Sequence, residues 1–114
     1  MAFSYEIEKK KKYTDIRMKG MLLSSMETSP LIKSLQFSDP ASARFLIDLD
    51  GLNYMNSEGF NTMVKILTFA RNHGGDVVLI NLSTELKQLF IISKLNSIFT
   101  IAENKRAAIS LLNG

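Results

Sequence analysis

Cysteine and tryptophan are absent from the sequence, histidine occurs once and proline twice. Without cysteine there is no disulfide framework and no thiolate metal site, which suits a reducing compartment. The single histidine, His73, has no histidine or cysteine to share a metal with, so no metal site and no cofactor are expected. No apolar run approaches the roughly 20 residues that cross a bilayer. The opening MAFSYEIEKKKK lacks the apolar segment of a secretory leader. These absences predict a cytoplasmic, soluble chain without direct membrane insertion.

Neither sign of charge dominates. The net charge is +3, and much of the basic excess lies in one run, Lys9 to Lys12. A nucleic-acid surface would carry more Lys and Arg on one face, with aromatic residues to stack on bases, and only Tyr13 is near this run. The run is expected to be a solvated turn between two strands, and no nucleic-acid partner is expected. What is present is ordinary globular composition, 46% hydrophobic and 22% charged over 114 residues, enough for one domain over 1–114 with a buried core.

Phe3, Tyr5 and Ile7 alternate with polar residues, and residues 13–19 alternate again before Gly20, which is expected to close the second strand of a hairpin. Leu31, Ile32 and Leu35 have helical spacing within 24–36, with Pro30 expected in the first turn, where its missing N–H does no harm. Ser38-Asp39-Pro40 marks a loop. Residues 45–49 form an apolar strand interrupted only by Asp48. Phe60, Met63, Val64, Leu67 and Ala70 then repeat at helical intervals, Ile66 and Phe69 widen the stripe, and Gly74-Gly75 ends it. Val77 to Ile80 is a strand buried on both faces, and Ser83 caps a short helix carrying Leu86, Leu89 and Phe90. Ile98, Phe99 and Ile101 suggest a last short strand, and Asn104 to Leu112 a closing helix. Alternating helices and strands make parallel crossovers, so the fold class is α/β: a mixed, mainly parallel sheet of four to five strands with about four flanking helices.

The junction NYMNSEGF (53–60) breaks the apolar strand into small polar residues and puts a serine at a helix start. A nucleophile elbow would read G-x-S-x-G, but Met55 stands where its first glycine belongs. His73 is the only imidazole available as a base, and it lies at the far end of the helix that Ser57 opens, about 24 Å away at 1.5 Å per residue. His73 is better placed to meet helix C-terminal carbonyls. Asp48 and Asp50 share a strand face, yet Asp50-Gly51 is also an ordinary turn beginning. No glycine loop with a lysine is present to cradle a phosphate. The residues carry no catalytic apparatus, and no enzyme is expected.

The order strand, DGLNYMNSEGF, amphipathic helix, GGDVVLINLS resembles the STAS domains, and among them the stand-alone bacterial anti-sigma factor antagonists. The shared features fall on Asp48-Leu49, Asn56-Ser57-Glu58-Gly59, Gly74-Gly75 and Val77 to Leu82, and SKLNSIFTIAENKRAAISLL is similar to the closing segment of the family. The likeness covers nearly the whole chain and is closest from residue 44 onward. It implies a regulatory binding module in which Ser57 is phosphorylated by a partner that is both a serine kinase and an anti-sigma factor. The unphosphorylated antagonist then binds that partner, and a phosphatase resets it. Asn53, Tyr54, Asn56, Ser57, Glu58 and Gly59 are the expected partner-binding residues. Asn56 suits an N-cap, a phosphate on Ser57 would sit among free helix amides, and Gly59 would keep the approach to the partner clear.

Three positions depart from the family pattern. Asn56 stands where aspartate is usual and Glu58 where a small residue is usual. Leu23 stands where many antagonists carry an aspartate that contributes to partner recognition. Beside a phosphoserine, Glu58 is a like charge and could itself supply part of the negative character. Two other readings fit the same fold: a STAS subunit supporting the ATPase of a lipid transporter without phosphorylation, and a small-ligand or nucleotide binder at the ends of the parallel strands. Met18, Met21, Met26 and Met55 are open between core and interface.

Overall fold

The lysine run turns the chain between two strands, β1 (Ser4–Lys9) and β2 (Thr14–Leu22), which pair antiparallel from Ser4–Lys19 to Lys9–Thr14. At the turn the Lys10 N–H donates to the Tyr13 carbonyl at 2.8 Å, and the ammonium of Lys10 lies 2.7 Å from the Glu8 carboxylate. All four lysines are exposed, as expected of a solvated turn. The structure, a computed structural model, describes residues 2–36 and 43–113. The loop expected at Ser38-Asp39-Pro40 lies outside the described residues.

The sheet continues in the order β1-β2-β3-β4-β5. β3 (Arg44–Met55), β4 (Asp76–Ile80) and β5 (Thr100–Ile101) join β2 in parallel, so the expected mixed, mainly parallel sheet has five strands. Alternate side chains of the central strands feed two cores. Phe45, Ile47, Leu49, Val77 and Leu79 pack with α1 (Ser25–Gln36), α2 (Ser57–Asn72) and α3 (Thr84–Ile92) on one face. Leu46, Val78 and Ile80 meet Ala108 and Leu112 of α4 (Lys105–Asn113) on the other. Both faces of β3 and β4 are therefore apolar, which is why these segments read as continuous runs. Met63, Ile66 and Leu67 are buried on α2, each contributing about 1.5–3 kcal/mol. The methionines divide: Met18 and Met55 are fully buried, Met21 is half-buried, and Met26 is 84% exposed.

The helix ends follow the sequence closely. At the end of α2 the Gly75 N–H donates to the Ala70 carbonyl at 2.8 Å and the Gly74 N–H to that of Arg71 at 3.3 Å, with Gly74 at φ +78°. This is the paired C-terminal closure that a left-handed glycine permits. Ser83 accepts from the Leu86 N–H at 3.1 Å and Asn104 from the Ala107 N–H at 2.8 Å, capping α3 and α4.

Four expectations are corrected. Pro30 is not in the first turn, because α1 already starts at Ser25. Pro30 is exposed while Leu31 and Leu35 point inward, so the carbonyl left without its N–H is on the side that water reaches. Gly20 does not close β2, which runs on to Leu22 because β3 continues alongside it as far as Met55. β3 likewise does not end at residue 49. It passes through Asp50-Gly51 with register shifts against β2 between Arg17 and Lys19 and between Gly20 and Met21, so extra residues bulge out of the strand instead of forming a turn. Finally, Ile98 and Phe99 precede β5, following a 3-10 turn at Leu95–Ser97, and Phe99 packs edge-on against Phe90 with ring centroids 5.8 Å apart.

Candidate functional site

The bulged end of β3 delivers the chain to α2 at one edge of the sheet. Met55 is the last strand residue and is fully buried opposite Leu22 of β2. Asn56 is extended (φ −103°, ψ −166°), so the strand direction continues for one more residue before the helix turns away. Its N–H donates to the Leu22 carbonyl at 3.3 Å, its Oδ1 accepts from the Gly59 N–H at 3.1 Å, and its Nδ2 donates to the Leu23 carbonyl at 3.2 Å. The expected N-cap is thus present, and one amide side chain serves the helix and the neighbouring strand together.

Ser57 is the first residue of α2 and is exposed. Among the described residues none is placed in hydrogen-bond contact with its hydroxyl, because Asn56 already does the capping. The first N–H groups of a helix have no intrahelical acceptor, and the helix dipole makes this end favourable for negative charge. Glu58 is exposed beside it. The Glu58 carbonyl accepts from the Thr62 hydroxyl at 3.1 Å, and Thr28 Oγ1 of α1 lies 3.2 Å from Thr62 Oγ1. This buried bridge ties α1 to the first turn of α2.

Asn53 and Tyr54 lie exposed at the end of β3, with Tyr54 41% exposed. Asn56 is half-buried. Gly59 differs from its expectation. It is buried, and a Cβ there would lie 2.5 Å from the Leu22 carbonyl oxygen and 2.8 Å from the Met55 Cβ. The missing side chain makes room for β2 inside the fold and does not clear a path for a partner. Sequence reading passed over Thr28 and Thr62. The pairing of α1 with α2 depends on a register between distant segments, and no local spacing announces it.

The other candidates sit elsewhere. His73 closes the far end of α2, its Nδ1 2.8 Å from the Phe69 carbonyl oxygen and its ring 4.3 Å from that of Phe69, as expected of a helix C-terminal imidazole. Asp48 is used by the scaffold: its Oδ1 accepts from the Asp50 N–H and from Asn81 Nδ2, both at 3.0 Å. Among the described residues no group of three or more His, Cys, Asp or Glu is placed to hold a metal. A groove of about 320 Å³ runs between α1 and α2, lined by Ile32, Leu35, Val64 and Phe69 among others. It lies along the helix flanks and includes none of the residues around Ser57. No helix among the described residues is long and apolar enough to cross a membrane.

The STAS domain family model matches residues 5–108. BtrV of Bordetella bronchiseptica, which bears the name anti-sigma factor antagonist, is 31% identical over 70 residues, covering 61% of this chain and 60% of that relative. Among solved structures, an anti-sigma factor antagonist from Mycobacterium paratuberculosis superposes with a TM-score of 0.78 at 12% identity, over 99% of this chain and 96% of its own. The anti-sigma factor antagonist SpoIIAA in its unphosphorylated form gives 0.74 at 16% identity, over 97% of this chain and 99% of its own. At these identities the structural likeness establishes the shared fold.

Proposed function

The chain belongs to the STAS domain family, and on that premise we propose that it is an anti-sigma factor antagonist switched by phosphorylation of Ser57. It binds a protein partner, an anti-sigma factor that is also a serine kinase, when Ser57 is unmodified. It releases that partner when Ser57 carries a phosphate, and a phosphatase resets it. Asn53, Tyr54, Asn56, Ser57 and Glu58 form the face offered to the partner, and the chain itself catalyses nothing.

The observation that carries this reading is the exposed Ser57 hydroxyl at the start of α2, which no described residue hydrogen-bonds, the helix being capped by Asn56. A phosphate there adds a charge of about −1.5 to −2. The helix amides and dipole accommodate it, so the modification changes the surface and leaves the core alone. A modification of this kind is reversible without unfolding. Glu58 adds a like charge next to the phosphate and lowers the gain from phosphorylation.

The test combines affinity purification from native cells, with phosphatase inhibitors present, and intact-mass and fragment analysis of the chain. A phosphoryl group on Ser57 with a co-purifying kinase-like protein is the expected result. In direct binding, Ser57→Asp should fold normally, with stability unchanged or raised by up to about 1 kcal/mol, and lose the partner, whereas Ser57→Ala should hold it constitutively. Wild-type affinity in Ser57→Asp overturns the switch. Unmodified Ser57 with a transporter ATPase in the eluate replaces it with a docking role that needs no phosphate.

A further inference from the structure

The lysine run forms the tip of the β1–β2 hairpin. The Lys10 N–H donates to the Tyr13 carbonyl at 2.8 Å, so Lys11 and Lys12 make up the turn itself, at one end of the sheet. Lys9 to Lys12 are all exposed. Lys10 meets the Glu8 carboxylate at 2.7 Å, whereas Lys9, Lys11 and Lys12 have no carboxylate partner among the described residues. Tight hairpin turns favour Asn, Asp and Gly, so closing this turn does not call for lysine, and like charges stand side by side. Tyr13 is half-buried against the cluster of Leu46, Val78, Ile80, Ala108 and Leu112. Among the described residues, none of the exposed large apolar side chains lies in the turn. The tip is also far from Ser57: β2 starts at Thr14 beside it and ends at Leu22 opposite Met55, roughly 26 Å along the sheet.

We propose that this tip is a contact site for anionic phospholipid, which holds the protein reversibly at a membrane surface with the Ser57 end turned away from it. A protein partner would call for apolar or aromatic anchors, and lysine is depleted in such interfaces. The turn offers cations without an anchor. A nucleic acid would call for a groove along its backbone and exposed rings to stack on its bases. The tip is convex, and the one neighbouring ring, that of Tyr13, is committed to the core. A layer of negative headgroups calls only for cations that reach it. Each lysine near such a surface adds about fivefold in affinity, so Lys9, Lys11 and Lys12 together supply about a hundredfold. The contact is purely electrostatic, and no part of the chain enters the hydrocarbon.

The experiment sediments the full chain with vesicles of phosphatidylcholine alone and of phosphatidylcholine mixed with about 30% phosphatidylglycerol. It compares wild type with Lys9→Gln/Lys11→Gln/Lys12→Gln, and with Lys65→Gln/Lys87→Gln/Lys94→Gln, which removes the same charge from exposed sites elsewhere. Wild type and the second triple variant should bind the anionic vesicles and not the neutral ones, at about 50 mM salt and not at about 500 mM. The turn variant should bind about a hundredfold more weakly, with circular dichroism and thermal midpoint unchanged. A wild type that ignores anionic vesicles overturns the proposal, as does a turn variant that binds like wild type or an equal loss in both triple variants. Ser57→Asp should bind vesicles as wild type does; weakened binding would mean that the Ser57 end faces the membrane, against the proposal. If wild type binds generic RNA or duplex DNA at lower concentration than anionic vesicles, and the turn variant does not, the tip serves a nucleic acid and the lipid assignment is overturned.

Discussion

The Asn56 side chain and the Leu23 backbone are joined by a hydrogen bond of 3.2 Å, between the last residue before α2 and the first residue after β2. The other end of the same amide caps α2 through the Gly59 N–H. One residue therefore fixes the helix start that presents Ser57 and the strand end that presents Leu23. Two predictions concern that arrangement, and a third concerns the opposite face of the sheet.

Asn56→Ala removes both bonds. Loss of the cap costs about 1 kcal/mol, and loss of the interstrand donor a further ~1 kcal/mol. Asn56→Asp keeps an oxygen for Gly59 but has no donor for Leu23, so its stability should fall between alanine and wild type. Urea denaturation of the three proteins gives the ranking. An alanine variant as stable as wild type would show that the bridge contributes nothing.

Gly59→Ala should reverse the usual helix rule. In an exposed helix, glycine to alanine gains about 1 kcal/mol. Here the added carbon would lie 2.5 Å from the Leu22 carbonyl oxygen and 2.8 Å from the Met55 Cβ, both in the sheet. Backbone must shift to admit it, at a cost of about 2 kcal/mol or more. A thermal midpoint above wild type would refute the close packing of α2 on β2.

Lys105 Nζ of α4 lies 2.8 Å from Oδ2 of Asp15, a carboxylate only 2% exposed. The hydrogen bond to Asp15 raises the Lys105 pKa above its ordinary 10.5. A raised lysine pKa gives stability that is fully present below the unfolded value and is lost as pH climbs through the folded one. Lys105→Met should thus melt below wild type at neutral pH, with a gap that stays constant to about pH 10 and narrows above it. A gap that does not narrow above about pH 10 would mean that the raised Lys105 pKa is not its source.

The legible parts of the fold are those whose cause is local. The helical stripe through Met63, Leu67 and Ala70, the caps at Asn56 and Ser83, and the glycine closure at Gly74-Gly75 each depend on a few adjacent residues. The Ser57 junction was legible for the same reason. Asp50-Gly51 misled because the dipeptide favours a turn when nothing else acts on it, whereas β2 alongside holds it extended as a bulge. Pro30 misled likewise: proline disfavours a helix interior, but the inward pull of Leu31 and Leu35 outweighs one missing bond on a wet flank. The chain past Gly20 took its form from the neighbouring β3, and the chain before β5 from the 3-10 turn and the packing of Phe99 on Phe90.

Taken alone, the sequence determined the class of the fold, the succession of its elements, and the place where an exposed serine opens a capped helix. Each of these is written in periodicity and in residues with strong backbone preferences. Tertiary structure decided what lies next to that serine. The parallel register brings Leu22 opposite Met55, and so carries Leu23 to Asn56; it also turns Gly59 inward against the sheet. The approach of α1 to α2 sets Thr28 against Thr62 across a separation of 34 residues. Such contacts are fixed by how two buried faces fit together, and a single strand or helix contains no record of its partner's register.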